Sequence, residues 1–205
     1  MINFFLESYK NATTTQILFE FLAFLFGIIS VWMAKKENIL VFPTGLISTI
    51  ITIYIFYKAK YYGEMTMNFY YSIMSIYGWI VWKNRYNNDT TPITKTNNKE
   101  KWIGFAMFVA TMLVTYLVYQ FFGYKLKIPN YIDIFISGIF FTAMWFMALK
   151  KLENWTLWII GDIIAVPLFA YRGLGMLALQ YLIFTILAIF AYLEWKKIWN
   201  NNQPT

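Results

Sequence analysis

The chain has 205 residues, of which 60% are hydrophobic, 22% aromatic and only 13% charged. That balance excludes a soluble domain, and the length allows about seven membrane spans of roughly 20 residues with little left over. Lys and Arg number 17 against 10 Asp and Glu, a net charge of +7, but they gather between apolar runs as in membrane proteins, which sets nucleic acid aside as a partner. Residues 1–15 form a polar lead with no basic region ahead of an apolar core, so no cleaved signal peptide is expected. The first span runs from about Gln16 to Ala34 and stops at Lys35, Lys36 and Glu37. A second covers Ile39 to Tyr57 and a third Gly63 to Trp82. Residues 83–101 are the only long polar loop. Beyond it lie a fourth span from Trp102 to Gly123, a fifth from Tyr131 to Leu149, a sixth from Trp155 to Gly173 and a seventh from Gly175 to Trp195, then a polar tail. The expected fold is an all-α polytopic membrane protein of seven transmembrane helices.

Alternate loops divide the basic residues unequally. The N-terminus and the loops after spans two, four and six hold Lys10, Lys58, Lys60, Lys125, Lys127 and Arg172; the other 11 of the 17 lie on the opposite side. The positive-inside rule then places the N-terminus outside and the C-terminus in the cytoplasm.

The halves of the chain echo each other. Met33-Ala-Lys-Lys-Glu-Asn38 returns as Met147-Ala-Leu-Lys-Lys-Leu-Glu-Asn154, and Ile80-Val-Trp-Lys83 as Leu193-Glu-Trp-Lys196. The reading is two parallel three-helix repeats, 16–82 and 131–195, separated by the 83–101 loop, expected to be cytoplasmic, and by an inverting linker helix, 102–123. Such repeats place a substrate at their interface near the bilayer midplane.

The sixth span carries an acid in an apolar run. Trp155, Trp158 and Asp162 stand at i, i+3 and i+7, so two indoles and a carboxylate share one helical face. An intramembrane carboxylate is expensive and is usually retained for an ion, a substrate or a buried partner. Aromatic faces beside an anion suit a flat organic cation. The alternative is that the tryptophans anchor the interface and Asp162 pairs with a neighbouring helix. Span two adds a stripe of Thr44, Ser48 and Thr52; span three offers Asn68 and Tyr71; span seven offers Gln180 and Tyr181. Ser and Thr in such helices commonly bond their own backbone or glue helices together. Pro167 is expected to kink span six, and Gly161 to let a backbone or ligand come close. The chain has neither cysteine nor histidine, and no nucleotide, hydrolase or metalloprotease motif, which argues against an enzyme, a metal site or a cofactor.

The run Glu153-Asn-Trp-Thr-Leu-Trp-Ile-Ile-Gly-Asp162, with Tyr77-Gly-Trp-Ile-Val-Trp82 closing span three, resembles the Pnu family of bacterial vitamin transporters, and the likeness covers nearly the whole chain. The resemblance implies a SWEET-like arrangement of three, one and three helices, a homotrimer in the bacterial inner membrane, and uniport of a B vitamin or precursor. A cytoplasmic kinase would trap the vitamin without needing to touch the transporter. It also implies that Trp155 and Trp158 stack on the ligand ring, and that Asn68 and Gln180 are polar site residues; Ser48, Tyr71 and Tyr181 complete the expected set. Asp162 stands where nicotinamide riboside carriers usually have Asn. A carboxylate suits the thiazolium of thiamine or the pyridinium of nicotinamide riboside, and the altered polar set favours thiamine narrowly, with nicotinamide riboside the alternative. A proton-coupled carrier and a receptor that binds without transport are further alternatives.

Overall fold

The computed structural model describes residues 13–59, 62–86, 92–121, 123 and 125–202. Among the described residues seven helices follow in order: α1 (Thr14–Lys35), α2 (Val41–Ala59), α3 (Tyr62–Tyr86), α4 (Asn98–Phe121), α5 (Ile128–Ala148), α6 (Glu153–Tyr171) and α7 (Gly175–Asn201). Six of them are long and apolar enough to cross a membrane. The remaining one, α3, has 25 residues and so reaches about 37 Å, but Asn68, Ser72 and Ser75 lower its hydropathy.

Each helix starts where the sequence supplies partners for its free amides. The Thr13 hydroxyl accepts from Gln16 N–H at 3.3 Å, and Pro129 occupies the first turn of α5, where no amide is needed. Asn97 and Glu100 cap each other reciprocally at 2.8 Å, so α4 begins ahead of Trp102. The 83–101 loop is therefore shorter than expected: residues 83–86 belong to α3 and 98–101 to α4, while 87–91 lie outside the described residues. Nor is the rest of that loop simply solvated. Ile93 is 2% exposed in the core, Thr94 exchanges backbone bonds with Lys150 and Leu152, and Thr96 N–H donates to both oxygens of Glu153. Residues 92–97 thus strap the turn between α5 and α6. The expected polar tail is helical to Asn201, and Lys95 lies 3.9 Å over the Trp199 ring. Pro167 sits inside α6, which stays helical through it.

Within the first half α2 packs on α1 and α3; within the second α6 packs on α5 and α7, and α4 lies along α5. The halves meet where α1 touches α7 and α3 touches α5. First helix against third, twice over, is the pattern a two-fold relation between two triplets produces. Small side chains make the approach possible: Ser30 Oγ donates to Val41 O at 2.8 Å and Ser48 Oγ to Ala23 O at 2.7 Å, joining α1 to α2. Between the halves Tyr70 OH donates to Phe141 O at 2.8 Å and its ring stacks on that of Phe141.

Candidate functional site

The inner faces of α3, α5, α6 and α7 converge on a column of rings. Trp158 of α6 stacks on Phe140 of α5 at 5.3 Å and 27°. Phe140 stacks on Tyr181 of α7 at 5.9 Å and 8°, and Tyr181 on Phe169 of α6 at 5.0 Å and 1°. The other neighbour of Trp158 is Tyr71 of α3, tilted by 50° at 6.3 Å. Gly161 admits Phe140: a Cβ there would lie 2.8 Å from ring carbon Cδ1 and overlap Cε1. The close approach expected at Gly161 is thus made by a protein ring.

Asp162 follows Trp158 by one turn and is 2% exposed. Its carboxylate makes no hydrogen bond or ion pair among the described residues, and it lies near enough to the Tyr71 phenol to interact with it electrostatically. The acid is therefore buried within the helices, and no cation among the described residues pairs with it. Aromatic rings around a buried carboxylate are an arrangement that can hold a flat cation, because the rings add their own attraction to that of the charge.

Of the eight residues expected at the site, Trp158, Asp162, Tyr71 and Tyr181 come together here. Asn68 is half-buried one turn from Tyr71, and Gln180 is half-buried beside Tyr181. Trp155 takes a different neighbour: 2% exposed, it meets Trp195 edge-on at 5.4 Å and 90°, so protein rather than open space lines it. Ser48 is a correction. Its hydroxyl is spent on Ala23 O across α1 and α2, Thr52 bonds Ser48 O of its own helix and Thr44 bonds Leu40 O just ahead of it, so the stripe is packing chemistry. Phe140 and Phe169 were not expected, because an apolar residue in an apolar span carries no signal of its own; only Gly161 hinted that something bulky stood opposite. No group of three or more potential metal ligands of the His, Cys, Asp or Glu type occurs among the described residues.

A helical membrane protein with an inward acid and aromatic column between two triplets has the form of a small-molecule transporter. The model of the nicotinamide mononucleotide transporter family matches residues 17–197, and the chain belongs to that family. Similar proteins include the nicotinamide riboside transporter PnuC of Escherichia coli, 23% identical over 196 residues that cover 82% of this chain and 81% of that one. PnuC of Neisseria mucosa is 26% identical over 188 residues, covering 84% and 69%. The fold is similar to that in a crystal structure of the vitamin B3 transporter PnuC, with a TM-score of 0.70 and 22% identity over 89% of this chain and 82% of that one. The chain is a membrane transporter and not an enzyme; its relatives carry transporter names. Thiamine, the favoured expectation, finds no support among these relatives, whereas the nicotinamide riboside alternative does.

Proposed function

We propose that the chain carries nicotinamide riboside across the membrane, holding its pyridinium ring between Trp158 and Tyr71 with Asp162 as counter-ion. The single observation that carries this reading is the buried, unpaired Asp162 beside those two rings. A lone carboxylate in a lipid interior is costly until a cation completes it, and a pyridinium supplies a fixed, flat positive charge. Tyr181 would support the column from behind. Asn68 and Gln180 would meet the ribose hydroxyls, and Trp155 would back the site from one turn away. The charge count, with the N-terminus outside, suits uptake by uniport followed by phosphorylation in the cytoplasm.

Calorimetry with nicotinamide riboside, thiamine and riboflavin on purified protein tests the substrate; counterflow of labelled nicotinamide riboside into proteoliposomes tests transport. Saturable binding and exchange of nicotinamide riboside alone are expected. Tight thiamine binding with none of nicotinamide riboside would restore the other vitamin, and binding without exchange would make the protein a receptor. Trp158→Ala should weaken binding by about 1–2 kcal/mol, the size of a desolvated cation–π contact. An unchanged dissociation constant would move the site elsewhere.

A further inference from the structure

At the end of the molecule that carries Lys35, Lys36, Lys150 and Lys151, α1 and α5 finish in the same way. Asn38 N–H donates to Met33 O and Lys151 N–H to Phe146 O, both at 2.9 Å, each closing a Schellman turn. The residues forced into the left-handed region are Glu37, with φ 52°, and Lys150, with φ 55°. Glycine is the usual choice there because a side chain is strained. Here the two strained residues bear opposite charges and pair with each other, Nζ to Oε2 at 3.1 Å.

A second reciprocal pair lies beside the first. Trp82, at the end of α3, donates Nε1–H to Ala148 O in the last turn of α5 at 3.2 Å. Trp195, toward the end of α7, donates to Ala34 O in the last turn of α1 at 3.0 Å. Glu37 and Lys150 are 113 residues apart, and so are Trp82 and Trp195. The two indoles approach to 6.4 Å, and Lys150 Nζ stands 4.5 Å from the Trp82 ring.

We propose that these residues form the gate at this end of the transporter, shut in this structure, and that release of a guest requires the ion pair and both indole bonds to break together. Each of the three bonds joins one helical triplet to the other. The 92–97 strap makes its hydrogen bonds to the α5–α6 turn and lies against Trp199 of α7, which ties it to the second triplet, while Ile93 sits in the buried apolar cluster that also holds Phe42 and Trp82 of the first. Rocking one triplet against the other would stretch all three bonds at once without unwinding a helix. Behind Trp195, Trp155 Nε1 and Asn154 Oδ1 are buried with no hydrogen-bond partner among the described residues. That burden on the closed state favours a gate that can open. A cavity of about 490 Å³, lined by Glu37, Trp82, Ile93 and Lys150 among others, leaves room at this end.

The gate rests on the transporter class and not on the identity of the vitamin, and its test needs no substrate. The chain has no cysteine, so Met144→Cys, one turn inside Ala148 and 6% exposed in the native side chain, reports opening by its reaction with a charged maleimide on protein in nanodiscs. Labelling should be slow in the otherwise native chain. Glu37→Lys, which sets two like charges together, should speed it about tenfold; adding Lys150→Glu, which restores an opposite pair, should return it to the slow rate. Trp195→Phe keeps a ring but loses the N–H and should speed labelling about fivefold. Fast labelling of the native background overturns the gate, as does failure of the charge swap to slow it again. Should Glu37→Lys fail to fold, Trp195→Phe decides alone, and an unchanged rate in folded Trp195→Phe protein refutes the proposal. Native melting temperatures certify each variant.

Discussion

Asp162→Asn should weaken nicotinamide riboside by about 2 kcal/mol, about thirtyfold in dissociation constant, while barely changing the affinity of the uncharged dihydro form. The two ligands share ribose and ring area, so their difference isolates the charge. The same substitution should raise the melting temperature of the ligand-free protein, because a buried carboxylate without a partner is replaced by a neutral amide of nearly the same shape. Loss of binding with gain of stability is what a residue kept for its ligand produces, since sites are commonly held at the expense of the fold. A packing residue would lose both, and an interfacial anchor neither. Calorimetry with each ligand and a thermal melt without ligand separate the three outcomes; equal losses for the charged and uncharged forms would remove the counter-ion role.

The positions of the helices were legible because hydropathy reports them directly, and even α3 was visible once its polar residues were read as a lining rather than a break. Their ends were less so. The Asn97 and Glu100 capping box that starts α4 was present in the sequence but hidden within a run of Asn, Thr and Lys that read as loop. Ile93 gave no warning either, since one apolar residue in a polar run has no period. At the proposed site, an acid in an apolar run with a tryptophan one turn before it drew attention to Asp162 and Trp158, which the structure buries beside Tyr71 and Phe140. The same reasoning misread Ser48, because a hydroxyl's preference for the nearest carbonyl is settled by packing that a sequence does not display. The repeat was proposed from Lys, Glu, Asn and Trp at the helix ends. Glu37, Lys150, Trp82 and Trp195 lie in or beside those matched segments, and their reciprocal bonds appear only when the halves face each other.

Gly161→Ala should cost about 1–3 kcal/mol of stability, the range for overfilling a packed core, and should also abolish tight ligand binding. The added methyl would overlap the Phe140 ring. That ring cannot tilt away cheaply, because it is stacked on Trp158 on one side and on Tyr181 on the other. Any shift therefore carries Trp158, the wall proposed to hold the ligand, out of register with Asp162. Gly78 supplies the control. A Cβ there would overlap Phe42 in the same manner, but Phe42 packs edge-on against Trp82 at 4.9 Å, away from the ring column. Gly78→Ala should thus lose comparable stability while binding, measured well below the melting point, survives. Phe140→Leu placed on Gly161→Ala should recover part of both losses by shrinking the group the methyl meets, a coupling that a double-mutant cycle reads directly. If Gly161→Ala binds normally, Phe140 is core packing that the ligand never senses, and the boundary of the site must be drawn short of α5.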